Sequence, residues 1–165
     1  MTTMAVPRPG VQERILLHLR DYVDHADKVE VPFALSQMGI ANAVAIARSN
    51  VPRAIAGMRE QGHLIERQAH VSGVSRKRKA YFLTEEGASI ADDIWTKVST
   101  QVVRLVHPDG RSESMELGHA LDSTDLPLRH VDFLRYIDDT GTVDLSILSP
   151  ELIERDLSKL SLIHI

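Results

Sequence analysis

Four consecutive cations, Arg76-Lys77-Arg78-Lys79, are the residues of this chain best suited to hold an anion. They follow the breaker Ser72-Gly73-Val74-Ser75 and lead into the apolar run Ala80-Tyr81-Phe82-Leu83. That placement predicts a cationic turn between two short strands, well formed to meet a row of phosphates. Upstream, Arg48, Ser49, Asn50 and Arg53 cluster at the start of a predicted helix. Arginine suits the O6/N7 edge of guanine and asparagine the N6/N7 edge of adenine, each good bidentate contact giving roughly 1–3 kcal/mol of discrimination. Arg53 and Asn50 are therefore candidates for base edges. Arg48 and Ser49 are candidates for phosphate, through guanidinium, hydroxyl and nearby backbone N–H groups. Each has a plainer competitor: a solvated charge run for the four cations, an ion pair with Glu60 or another nearby acid for Arg53, a helix cap for Asn50. Arg59 reads as a solvated surface residue, and Arg67 and Gln68 as weaker contacts on the outgoing strand.

The charge distribution favours the anion-binding reading. The 165-residue chain carries a net charge of −4. Between Arg48 and Ala80, however, eight cations face only Glu60 and Glu66, so the middle is basic and the ends are acidic. A localised positive field is what steers a polyanion. With about four to six phosphates engaged per protomer, log K is expected to fall with log salt at about −4 to −5.

Other chemistry is poorly supported. Cysteine is absent, which removes disulfides, thiolate catalysis and Cys-based zinc sites. The eight histidines are scattered, so no metal is expected. Serine and histidine occupy no nucleophile elbow, so no catalysis is expected. There is no Gly-x-x-x-x-Gly-Lys-Ser/Thr phosphate loop, and no cofactor is expected. Residues 1–10 hold Pro7 and Pro9 and no apolar core of a signal peptide; they are expected to be a disordered segment of a cytoplasmic protein.

The elements that must position the candidates follow from periodicity. Val11–Ala26 predicts a helix with Val11, Ile15, Leu16, Leu19, Tyr22 and Val23 on one face. Val29–Pro32 is a short extended piece. Leu35–Ala43 predicts a second helix and Ala45-Ile46-Ala47 a turn. A third helix follows, with Ser49 as its N-cap, Pro52 in its first turn and Gly62 as its left-handed stop. His63–Val71 and Lys79–Leu83 predict two strands. Thr84 is expected to cap a fourth helix, Glu85–Val98, with Trp95 in its apolar stripe. The order fits a winged helix-turn-helix over 11–98: mainly α with a small β-hairpin wing, an α+β fold.

Two stretches resemble the archaeal winged-helix regulators of the MarR (multiple-antibiotic-resistance regulator) type. One is Gln37-Met38-Gly39-Ile40-Ala41-Asn42-Ala43-Val44 with Ala47-Arg48-Ser49-Asn50-Val51-Pro52-Arg53-Ala54-Ile55. The other is Arg76–Lys79 with Tyr81-Phe82-Leu83-Thr84-Glu85-Glu86-Gly87. The resemblance implies a transcriptional regulator whose third helix enters the major groove of double-stranded DNA. It further implies a homodimer formed through the flanking first and fourth helices, with recognition helices about 34 Å or a multiple of it apart. Similar winged helices also stand at the front of longer chains. The alternative expectation is thus an interaction or targeting module of a larger signalling NTPase or repeat protein. RNA binding is the weaker use of the same face, because few aromatics are available to stack on bases.

Residues 99–159 change character, with acids twice as numerous as cations from Ser99 onward. They read as a small acidic α/β appendage suited to a protein partner or an effector. Val102–Val106 and Ser112–Leu117 predict a hairpin around Pro108-Asp109-Gly110; Val131–Asp138 and Glu151–Leu160 predict short helices. No apolar run approaches the ~20 residues that span a bilayer. The end, Leu160-Ser161-Leu162-Ile163-His164-Ile165, resembles a translated transposon adaptor and is expected to be a non-native tail, with the natural frame continuing past Lys159.

Overall fold

The computed structural model describes residues 9–154. The expectations for the N-terminal segment before Pro9 and for residues 155–165 lie outside them. The fold is mixed α+β, with two three-stranded sheets. The chain divides into two compact units, and the boundary falls between Ile94 and Trp95.

In the first unit, α1 spans Val11–Arg20 and begins at Gly10, whose N–H donates to the Glu13 carboxylate at 3.0 Å. Ile15, Leu16, Leu17, His18 and Leu19 are all buried, so the helix is enclosed beyond its predicted stripe. His18 is held by a 2.7 Å bond from Nε2 to the Ala34 carbonyl; a carbonyl only accepts, so Nε2 carries the proton. The predicted helix to Ala26 stops early. Past Asp21 the chain takes a single 3₁₀ turn, Val23–His25, after which the His25 carbonyl accepts from the Lys28 amide and the carbonyls of Ala26 and Lys28 accept from the Arg67 guanidinium.

A short strand β1, Glu30–Val31, leads to α2, Gln37–Val44. The cap of α2 is Ser36, whose Oγ accepts from Gly39 N at 3.1 Å. Ala45 ends α2 in the left-handed region at φ 59°, and Arg14 donates to the Val44 carbonyl at 2.7 Å. Burial lowers the affinity of the Arg14 guanidinium for its proton.

The start of the third helix differs from expectation. Arg48–Asn50 form a 3₁₀ turn, and α3 runs from Val51 to Glu60 with Asn50 at its N-cap. Ser49 lies inside that turn and is not the cap. Neither Ser49 nor Asn50 supplies a side-chain capping bond. Pro52 does sit in the first turn, and Val51, Ile55 and Met58 are buried. Gly62, at φ 79°, closes the helix: its N–H reaches the Arg59 carbonyl and that of His63 the Met58 carbonyl, the paired bonds of a Schellman stop.

β2 (Leu64–Val71) and β3 (Lys77–Leu83) pair antiparallel, and β1 joins β2 in parallel, Val31 opposite Val71. Thr84 Oγ1 accepts from Gly87 N at 3.0 Å and so caps α4, Glu85–Ser99, as expected. Ile15, Leu17, Leu35, Ile40, Ile55 and Tyr81 are the centre of this unit's core. Each such side chain contributes about 1.5–3 kcal/mol on leaving water.

In the second unit, β4 (Val102–Val106) and β5 (Ser112–Glu116) form the expected hairpin. Asp109 Oδ1 accepts from the Arg111 amide at 3.0 Å, and Gly110 has φ 90°. Leu117 belongs to a helix, α5 (Leu117–Ser123), and not to the strand; it is fully buried. The predicted helix Val131–Asp138 is the shorter α6, His130–Leu134. An unexpected strand, β6 (Thr142–Asp144), pairs parallel with β4. Trp95 is half-buried and packs against His130, ring centroids 4.1 Å apart and planes inclined by 38°.

Candidate nucleic-acid interface

The cationic run is not a turn. Lys77, Arg78 and Lys79 are the first residues of β3, and only Arg76 precedes the strand. Strand alternation therefore divides them. Lys77 pairs with His70, Lys79 with Gln68 and Tyr81 with Glu66, all on one face of the hairpin; Arg78 pairs with Ala69 and Ala80 with Arg67 on the other. The face carrying Lys77 and Lys79 is the one turned toward α2 and α3. Gln37 of α2 donates to the Tyr81 hydroxyl at 2.9 Å, and Arg59 of α3 reaches Glu66 at 3.0 Å.

On α3, Arg53, Ala56 and Glu60 are exposed at i, i+3 and i+7, a single row, with exposed Arg59 on its flank. Arg48, Ser49 and Asn50 are exposed in the turn that feeds this row. Between the row and the hairpin lies an open groove of about 550 Å³, lined by Ala56, Arg59, Glu60, Leu64, Ile65 and Glu66. Glu66 bridges it, with Arg59 on one side and Lys79 Nζ at 3.7 Å on the other. Arg59 of α3 and Lys79 of β3 thus meet at Glu66 across the groove, whose lining includes none of Arg48, Ser49, Asn50, Arg53 and Lys77.

Among the described residues, no ion pair engages Arg48, Arg53, Arg76, Lys77 or Arg78. The expected competitors for Arg53 and Asn50, a Glu60 pair and a capping bond, are both unrealised. Lys79 is the exception, being tied to an acid.

Arg67 points elsewhere. Its guanidinium donates to the carbonyls of Ala26 at 2.9 Å and Lys28 at 2.6 Å, and lies 4.3 Å from the centroid of the Phe82 ring. It is a brace of the hairpin. Gln68 stays exposed on the Lys79 side.

Sequence reading missed the cluster around Glu66. Burial raises the proton affinity of the Tyr81 phenol; the Gln37 bond opposes this, and the charge and hydrogen bond of Glu66 add to it. The one available signal was strand parity, which puts Glu66 on the same face as Tyr81 and Lys79.

Among the described residues, no helix is long and apolar enough to cross a membrane, and no three His, Asp or Glu side chains cluster as metal ligands. No protein family, curated protein or solved structure matches the chain. The MarR-type resemblance rests on the residues quoted for it.

Proposed function

We propose that this chain binds double-stranded DNA in a sequence-dependent manner and regulates transcription in the cytoplasm, as a winged helix-turn-helix of the MarR-like type. In this reading α2 and α3 are the helix-turn-helix, α3 lies in the major groove and the β2–β3 hairpin is the wing. The observation that carries it is that five exposed cations without ion pairs, Arg48, Arg53, Arg76, Lys77 and Arg78, fall on the entry turn and first residues of α3 and on the start of β3, with Arg78 on the far face of the hairpin. An exposed cation without a carboxylate partner keeps its full charge for phosphate, and each phosphate neutralised releases counterions from the duplex.

Asn50 and Arg53 read base edges, and Arg48, Ser49 and the wing cations fix register on the backbone. The two aromatics of β3 give no stacking platform: Tyr81 and Phe82 are buried, at 1% and 2% exposure. That supports duplex over single strands, whose binding relies on exposed aromatics.

The test is a salt series on duplex fragments selected from genomic DNA. Native protein should lose affinity with a log–log slope of about −4 to −5. Replacing Arg76, Lys77, Arg78 and Lys79 together by alanine should flatten that slope by about 2. An unchanged slope and affinity in the folded variant sinks the proposal.

A further inference from the structure

Within the DNA-binding reading, on which this rests, Glu66, a carboxylate held between Arg59 of α3 and Lys79 of the wing, acquires a role. Glu66 has a side chain 18% exposed, whereas its two partners, Arg59 and Lys79, are 48% and 54% exposed. It is the anchored member of the group. Tyr81 stands directly across the hairpin from it, and Gln37 donates to the Tyr81 hydroxyl. Its oxygens take Arg59 Nη1 at 3.0 Å and Lys79 Nζ at 3.7 Å.

We infer that Glu66 is a positioning residue that sets specificity: it holds Arg59 and Lys79 back from phosphate and so limits binding to DNA of arbitrary sequence. Non-specific affinity is governed by how many cations are free to neutralise phosphates. Glu66 subtracts two cations from that number and adds a fixed negative charge in the groove between helix and wing. Arg48, Arg53, Arg76, Lys77 and Arg78 stay available, so base contacts by Asn50 and Arg53 retain a larger share of the total affinity.

Random-sequence duplex, titrated with the full chain by fluorescence anisotropy across salt, tests this. Glu66→Gln keeps the shape and removes the charge. With two more phosphates engaged, its slope should steepen by about 1.8, with binding about tenfold tighter at about 50 mM salt and the gain nearly gone at about 200 mM. Adding Arg59→Gln to that variant should remove about half of the steepening. In the otherwise native chain, Arg59→Gln alone should leave the slope at its native value, an arm that does not depend on how Glu66→Gln folds. A folded Glu66→Gln protein with native slope, or a fall of about 0.9 for Arg59→Gln alone, overturns the inference. Native protein that binds duplex while the variants respond wrongly removes this inference only. Folded native protein that binds no duplex removes the DNA-binding reading with it.

Discussion

The Arg67 guanidinium lies over the Phe82 ring, 4.3 Å from its centroid, while its N–H groups reach the carbonyls of Ala26 and Lys28. One side chain thereby joins both strands of the hairpin to the loop after α1. Charge-assisted bonds of this kind are worth roughly 1.5–3 kcal/mol and a ring contact about 0.5–1 kcal/mol. Arg67→Ala should destabilise the protein by about 2–3 kcal/mol in urea unfolding. Its salt slope on DNA should remain native at temperatures where it is folded, which separates a brace from a phosphate contact.

Two helical glycines should respond oppositely to alanine. A Cβ at Gly87 in α4 would lie 1.8 Å from the His63 carbonyl oxygen, so the helix start must move away from the end of α3. Gly87→Ala should cost about 3 kcal/mol or more despite the better helix propensity of alanine. At Gly57 in α3 the nearest atom is Gln12 Nε2 at 3.8 Å, an ordinary contact. Gly57→Ala should stabilise by about 0.5–1 kcal/mol. Thermal melting of the two variants checks the pair.

Local chemistry makes several elements legible in the sequence. Gly62 stops α3, Thr84 caps α4, and Pro108-Asp109-Gly110 turns the second hairpin, because each depends on residues a few positions apart. Gln37, and not Leu35, starts α2, with Ser36 as its cap; Leu35 continues the apolar pattern and so masks the boundary. The parallel pairings of β1 with β2 and β6 with β4 join distant segments and leave no local trace. For the candidate interface, the charge of residues 76–79 was plain, but its division between two faces depended on where β3 begins. Glu66 was hidden for a related reason: Gln37, Arg59, Lys79 and Tyr81 come from three other elements.

The second unit should be sensitive to acid through two turn carboxylates. Asp138 Oδ1 accepts from Thr140 Oγ1 at 2.6 Å, Thr140 N at 2.8 Å and Thr142 N at 3.1 Å, and these bonds, the Thr140 hydroxyl foremost, hold its pKa below the ordinary range. Asp109 is lowered likewise, first by the Arg111 amide and then by the Arg111 side chain. Because the folded values lie below the unfolded ones, their stabilisation is complete above about pH 4 and is lost as pH falls through the lowered folded values. Asp138→Ala should therefore melt lower than native protein at neutral pH, and the gap should narrow at the acid end of a pH series. A constant gap would show that ionisation of Asp138 contributes nothing.

Strand parity makes the sharpest forecast for the interface. Lys77 shares a hairpin face with Glu66 and Tyr81, the side from which Arg59 of α3 approaches, whereas Arg78 lies opposite with Ala69. A duplex lying along α3 meets Lys77 first. Lys77→Ala should flatten the salt slope by about 0.9 and weaken all sequences equally, as a phosphate contact does. Arg78→Ala should flatten it by less than half as much, although arginine and lysine carry the same charge. Arg53→Ala should leave most of the slope and relax preference at one base-pair position by about 1–3 kcal/mol, read by selection from a random duplex library. Equal losses for Lys77→Ala and Arg78→Ala would mean that the duplex takes the hairpin end-on, and the shared α3–β3 surface would not be the binding face.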